Sequence, residues 1–318
     1  MWFKQIQPFQ LADSFKYSKN TLEEKLELLT FTPCLPSMPY SAGWISPIDE
    51  NDGPLVRSIN GYTIFCLQIE EKILPATVIN QELSEAIKQI ETSENRKLRP
   101  KEKYALKDEI MITLLPRAFS RLSKVYAYID SKNHRLILGT ANPKKSEQFF
   151  NIFKKSFSEE IKSIEIKKLS SIMTNWLKNK NYPSYFSIEK ACVLQDPNQE
   201  NRIIRCKQQD LFSTGIQSLI KDGCEAIQLA LTWQDQVSFV LVNDFSLSSI
   251  QFQDEILEQV KEMEPGTDKQ QFDADFLIMT EVLSSLINDL LKMTTDSKQS
   301  DKANNLGQVI PMVKVNKQ

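Results

Sequence analysis

The stretch LKDEIMITLLPRAFSR, Leu106 to Arg121, sets how the rest of the chain is read. It opens as a charged helix and closes on the apolar run Ile110, Met111, Ile112, Leu114 and Leu115. Pro116 stops it, because a proline ring cannot sit in a helix interior. Arg117, Phe119 and Arg121 follow the break directly. Two guanidinium groups flanking an aromatic suit a phosphate backbone or a partner chain, and they suit an ordinary helix-to-strand corner equally well. The surrounding sequence has to decide.

On the N-terminal side, Leu83, Ala86, Ile87 and Ile90 recur at the spacing of one helix face, and Pro100 suits the first turn of a second helix. The spacing predicts two helices joined near Leu98. Their elbow is basic, with Arg96, Lys97, Arg99, Lys101, Lys103 and Lys107, although Glu91, Glu94 and Glu102 are placed to pair along a solvated face. On the C-terminal side, Val125–Ile129 and Arg135–Gly139 are apolar runs around Asp130, Ser131 and Asn133, the pattern of a hairpin. Pro143 then opens a helix with Phe149, Phe150, Ile152 and Phe153 as its buried stripe, and 161–168 alternates as a strand with Ile164 and Ile166 inward.

Further out, Trp2–Leu11 has strand composition, and Leu22, Leu26 and Leu29 predict a short helix capped by Asn20 or Thr21. Five prolines between Phe31 and Pro54 require extended or turn structure, with Trp44 as a core plug, and Ile59–Ile69 reads as a strand. Beyond 168 the expectation is a helix over Ser170–Leu177, a linker over Asn179–Ser184 and a strand around Ile203–Cys206. A helix over Phe212–Ile220, strands over Ala226–Trp233, Val237–Val242 and Phe245–Phe252, and a helix over Ala274–Leu291 complete the order. The chain lacks the regular rhythm of a doubly wound sheet, so the fold class is α+β, with mixed helices and largely antiparallel sheets in two or three subdomains. The division expected is 1–75 as part of a central body, 76–115 as a basic helical hairpin, 116–180 as an α+β unit, 181–293 as an acidic α+β domain and 294–318 as a flexible tail.

Composition narrows the chemistry. With 318 residues, 41% hydrophobic and 25% charged, the chain can bury a sizeable core. No window approaches the roughly 20 apolar residues of a membrane span, and MWFKQIQPFQ lacks the features of a secretory signal, so a cytoplasmic protein without membrane contact is expected. Cys34, Cys66, Cys192, Cys206 and Cys224 are scattered without CxxC spacing and read as buried free thiols. His134 is the single histidine, and it lies in an expected turn. Histidine-based acid–base, nucleophile and transition-metal chemistry therefore has little to work with. No phosphate-cradling glycine motif occurs among the eight glycines, and neither a cofactor nor a metal is expected. The net charge of −2 conceals a segregation. Residues 87–180 hold 21 Lys+Arg against 10 Asp+Glu, whereas 208–296 hold 4 against 16. Such asymmetry points to a polyanion-binding region, or to two halves that pair with one another.

Particular blocks then carry a resemblance. Trp2-Phe3-Lys4, Phe31-Thr32-Pro33-Cys34, Gly43-Trp44, Glu70 to Pro75, Arg96-Lys97-Leu98, Leu106 to Glu109, Leu114 to Arg121, Gln209-Asp210-Leu211 and Phe272 to Phe276 occur in the order found in the bacterial recombination-associated RdgC family. The sequence resembles that family from its start to about Leu291. The resemblance implies a horseshoe-like subunit and a homodimer closed into a ring around double-stranded DNA. It further implies sequence-independent binding, association with the nucleoid and a role in limiting the RecA recombinase. Position by position, it implies that Phe119, with Arg117 and Gln209, belongs to the dimer interface. Arg96, Lys97, Arg99, Lys101, Arg117 and Arg121 are read as facing DNA, together with the tract Lys207-Gln208-Gln209 near the second contact of the ring. This chain departs from the family at Gln208, where the pattern has lysine. Two other readings stand beside this one: a protein-only adaptor whose basic half docks on an acidic partner, and a metal-dependent nuclease using Asp273 and Asp275 or Asp235 and Asp244.

Overall fold

The computed structural model describes residues 1–48, 53–157, 159, 161–164, 166, 168–263 and 265–305. It divides the chain into two compact units, one formed by Leu11–Ile161 and the other by Met1–Gln10 with Lys162–Gln318. The pairings among Tyr40–Ile45, Arg57–Ile59, Tyr62–Lys72, Ser120–Asp130 and Arg135–Leu138, and those among the five strands of the second sheet, are antiparallel, in keeping with the α+β reading.

The unit Leu11–Ile161 is built on the strand Tyr62–Lys72. YTIFCLQI is apolar at nearly every position and is buried on both faces, so it occupies the middle of the sheet. It pairs on one side with Tyr40–Ile45 and the short Arg57–Ile59, and on the other with Ser120–Asp130. That last pairing runs without a register break from Tyr62 opposite Asp130 to Lys72 opposite Ser120. Arg135–Leu138 adds to Ser120–Asp130 through the tight turn that holds His134. The helix Pro143–Phe157 lays Phe149, Phe153 and Phe157 on this sheet. Phe149 packs edge-on against Trp44 with centroids 5.6 Å apart, and Phe65 does so from the sheet at 5.4 Å. The Trp44 indole N–H donates to Ser156 Oγ at 2.9 Å, which satisfies the one polar atom of a side chain that is 1% exposed. The expected core role of Trp44 is observed.

Between the paired ends Lys72 and Ser120 the chain makes a long helical excursion. The helix Ala76–Glu94 and the helix Pro100–Leu114 join near Leu98, as expected, and run as a hairpin with Leu98 itself buried at the elbow. Only Ile79 is buried in the first helix and no residue is buried in the second, so the hairpin is an arm and not part of the sheet's core. A single turn, Leu115–Arg117, follows Leu114 and leads back into the strand, with Pro116 where the helix was expected to stop.

In the other unit a five-stranded sheet runs in the order Leu247–Phe252, Val237–Val242, Glu225–Trp233, Phe186–Asp196, Gln199–Lys207. Val237–Val242 shows strict alternation of buried and half-buried residues, one face to the core. The long helix Asp268–Asn305 covers that core with Phe276, Met279, Leu283, Leu286, Ile287 and Leu290. The Trp233 indole donates to Asp289 Oδ2 at 3.1 Å. No helix among the described residues is long and apolar enough to cross a membrane.

Several local expectations change. The strand in the first residues is confined to Gln7–Leu11. The cap of the first helix is Ser18, whose Oγ accepts from the Thr21 N–H at 3.2 Å, in place of Asn20 or Thr21. Cys34 is half-exposed, unlike the four buried cysteines. The strand expected over 161–168 is observed over Ile161–Ser163, and residues 165 and 167 lie outside the described residues. The strand Phe186–Asp196 and the helix Asp254–Glu262 appear where none was expected. Where a tail was expected from Thr294, the helix continues to Asn305, and residues 306–318 lie outside the described residues.

Gly43 tests the packing of the first unit. A Cβ built there would lie 2.4 Å from Phe31 Cα, because residues 29–31 cross directly over Gly43 and exchange backbone hydrogen bonds with Trp44. Gly43→Ala should therefore cost about 2–3 kcal/mol through overpacking against backbone that cannot yield. Urea denaturation of the purified protein measures it.

Candidate nucleic-acid interface

The corner after Pro116 is placed by a clasp. Lys72 and Ser120 are the last register pair, and one residue further on the Ile73 N–H donates to the Phe119 carbonyl at 2.7 Å. The backbone of Phe119 is thus fixed by the sheet while its side chain turns outward, 86% exposed. It does not belong to the core of the chain. Ile73, at 47%, and Leu122, at 60%, stand exposed beside it in sequence or register, so the corner shows water an apolar surface. Arg117 is exposed on the turn. Arg121 is also exposed, and its guanidinium reaches Glu71 at 3.4 Å, across the register pair Glu71 and Arg121.

Glu71 gathers more than Arg121. Lys144 Nζ lies 2.6 Å from its carboxylate and Gln148 Nε2 donates to it at 3.2 Å. The Lys144 ammonium, with help from Gln148 and Arg121, holds the Glu71 carboxyl below its ordinary value. One half-buried anion therefore tethers two cations that remain largely exposed, 71% for Lys144 and 66% for Arg121. Lys144 was not among the expected site residues. Its helix was legible, but the pairing that brings Glu71 under it is a property of the sheet register.

At the elbow of the arm the cations separate into two kinds. Arg96 forms a two-pronged pair with Glu102, both bonds at 2.9 Å, and meets Glu94 at 2.7 Å. Glu102 also accepts the Arg99 N–H at 2.7 Å, which caps the second helix. Arg96 thus closes the elbow with its own charges. The Arg96 guanidinium, followed by the Arg99 amide, pulls the Glu102 carboxyl down to about 2. Lys97, Arg99 and Lys101 are exposed around this knot, and Lys97 and Lys101 form no ion pair among the described residues. Tyr104, 72% exposed, lies one turn after Lys101 on the same helix face. The elbow consequently offers cations and an exposed ring on a frame that Arg96 holds.

The tract Lys207-Gln208-Gln209 belongs to the other unit. Lys207 ends the strand Gln199–Lys207, and Gln208 sits in the left-handed region with φ 52°. The Gln209 N–H returns to the Lys190 carbonyl at 3.2 Å. All three side chains are exposed. The carboxylates considered for a nuclease are occupied or dispersed. Asp275 accepts from the Trp2 indole at 3.2 Å and from Gln271 at 3.0 Å, and Asp244 accepts the Ser246 amide and hydroxyl at 2.9 and 2.6 Å. Among the described residues no group of three His, Cys, Asp or Glu side chains is arranged to hold a metal ion.

A family model described as "RdgC: Putative exonuclease, RdgC" matches residues 1–296. The chain belongs to the RdgC family. Among its relatives is the recombination-associated protein RdgC of Yersinia enterocolitica serotype O:8 / biotype 1B, 35% identical over 294 residues that cover 92% of this chain and 97% of the relative. Those of Yersinia pestis strain Pestoides F and Yersinia pseudotuberculosis serotype O:1b are each 34% identical over the same lengths. The family blocks of the sequence include both the Arg96 elbow and the Phe119 corner, so the two surfaces described above lie within the matched region.

The elbow makes a prediction in pH. A carboxylate depressed in the folded state contributes stability above its unfolded value, near 4.5, and loses it as pH falls through its folded value. The Arg96 knot should therefore hold to about pH 2, and the side-chain carbon resonance of Glu102 should titrate near there. Arg96→Ala should return that midpoint towards the ordinary carboxylate range, whereas Lys97→Ala should leave it in place.

Proposed function

We propose that this protein binds double-stranded DNA without regard to sequence, as a homodimer whose horseshoe-like subunits close into a ring, and that it limits RecA-dependent recombination at the nucleoid. The observation that carries the reading is the Phe119 corner. A large aromatic is held almost fully in water by a clasped backbone, with Arg117 and Arg121 on either side, in a family whose members are named for recombination. Exposed aromatics of this kind anchor subunit interfaces, since burying the ring against a partner recovers hydrophobic energy that the free subunit forgoes.

Around that joint the exposed cations suit phosphates. Lys97, Arg99, Lys101, Arg117 and Arg121 offer charge without a rigid base-reading element, so contact with the backbone dominates and affinity falls with salt through counterion release. Arg96 supports the elbow in this reading and does not clamp a phosphate. In this reading Lys207-Gln208-Gln209 lies near the second contact of the ring, and glutamine at its middle position offers one cation fewer than lysine would. Closure around the duplex supplies retention that weak, non-specific contacts lack.

The description of the family as an exonuclease favours a second reading, and one experiment separates the two. Protein loaded on relaxed circular duplex or on linear duplex of the same length is challenged with high salt. A ring slides off free ends and should survive at least tenfold longer on the circle, while equal lifetimes would remove the ring. A parallel incubation with Mg²⁺ or Mn²⁺ should leave both DNAs intact, and progressive loss of the linear form would favour the exonuclease.

A further inference from the structure

The strands Phe186–Asp196 and Gln199–Lys207 set two cysteines directly against each other. Cys192 and Cys206 form the second of five consecutive antiparallel pairs, from Ala191 opposite Lys207 to Gln195 opposite Ile203, and that run has no bulge. Both side chains are buried, at 3% and 7% exposure, on the face that also carries the buried Leu194. Residues opposite one another in such a ladder have Cβ atoms about 4.5–5.5 Å apart. A disulfide needs about 3.5–4.5 Å, so a shift of roughly 1 Å joins the pair. The other two buried cysteines are placed differently: Cys66 stands opposite Ile45 and Tyr126, and Cys224 lies just before the strand Glu225–Trp233.

Burial, and after it the adjoining Cys206 thiol, pushes the Cys192 thiol up to about 12. At neutral pH this sulfur is therefore protonated and slow towards a reagent that meets it alone. A second sulfur already alongside changes the comparison, because positioning turns the closing step of disulfide formation into an intramolecular one. Cys206 gives the way in. Its strand is the outermost of the five, and Cys206 is the one buried residue among the strand's described side chains, with Arg202, Ile203, Arg205 and Lys207 all exposed. An edge strand held by so few buried contacts is the element of a sheet that opens locally at least cost.

We propose that Cys192 and Cys206 are a redox site: a low-molecular-weight disulfide oxidises them to a cross-strand disulfide, which pins the edge strand leading into Lys207-Gln208-Gln209. In the first step the Cys206 sulfur gives up its proton and attacks one sulfur of the small disulfide, whose other half leaves as a thiolate. In the second the Cys192 sulfur gives up its proton and attacks the Cys206 sulfur of the mixed disulfide, displacing the remaining half. The two protein thiols lose two electrons and two protons, and the small disulfide takes up both as two thiols. Joining Cys192 to Cys206 closes the hairpin on itself and restricts how far the edge strand can open. Where thiols are kept reduced the pair stays open, and a rise in the disulfide co-reactant closes it. The inference does not depend on the DNA-encircling reading and can fail separately from it.

The test uses the full-length protein carrying Cys34→Ser, which removes the half-exposed thiol. It is incubated folded with bis(2-hydroxyethyl) disulfide, quenched in acid, alkylated after denaturation and mapped by mass spectrometry. The expected product has lost two hydrogens and yields peptides linked through Cys192 and Cys206, and dithiothreitol should restore both thiols. In the linked protein the hydrogen-bonded amides of Gln199–Lys207 should exchange with deuterium more slowly by roughly tenfold or more. Cys206→Ala protein treated alike should show no slowing. A hydroxyethyl adduct left on Cys206 beside a free Cys192, a link from Cys192 to Cys224, a link that forms only in urea, or unchanged exchange in the linked protein would overturn the proposal.

Discussion

The unbroken register between Tyr62–Lys72 and Ser120–Asp130 is the constraint on which the candidate surface depends. A slip of one residue would turn every side chain of one strand to the opposite face. It would bury Glu71 away from Arg121 and move the Phe119 carbonyl away from the Ile73 amide. The register is secured by burial on both faces of Tyr62–Lys72 and by the aromatic cluster of Trp44, Phe65 and Phe149. The outermost pair of that register is also where the helical arm leaves and returns, so a fixed core and an exposed arm share one junction.

Electrostatics at the elbow of the arm and at its base follows a division of labour. Arg96 is consumed by Glu94 and Glu102, and the carboxylates neutralise it. Surface pairs of this type contribute little net stability, but a two-pronged guanidinium pair fixes geometry, and here it fixes an elbow that has only Leu98 to bury. Lys97 and Lys101 keep their charge available. Glu71 acts differently again: it orients Arg121 and Lys144 while leaving both heads in water. Charge counting along the sequence sees all these cations as equal, and the fold does not.

That contrast explains what could be read beforehand. The helix stop at Pro116, the elbow at Leu98, the turn around His134 and the buried Trp44 were legible because each follows from a local rule of ring geometry, periodicity or turn chemistry. The strand Phe186–Asp196 was not, since Lys190 and Asp196 fall on the same side as its apolar positions Phe186, Ile188, Cys192 and Leu194 and obscure the period of two in the sequence. The exposure of Phe119 was also invisible to pattern, because an aromatic between arginines reads alike as core or surface. The commitment of Arg96 to Glu102 and the recruitment of Lys144 to Glu71 required, respectively, the elbow geometry and the sheet register. The family blocks singled out this corner of the chain without saying which cations there are spent on the protein itself.

Phe119 therefore carries the account. Its ring touches little within the subunit, so Phe119→Ser should leave the melting temperature of the subunit fold nearly unchanged while removing an anchor between copies. Sedimentation velocity of the wild-type and Phe119→Ser proteins at equal concentration decides the matter. The account predicts a wild-type dimer and a shift of the variant towards monomer with the fold intact. A variant that sediments as the same dimer would contradict it.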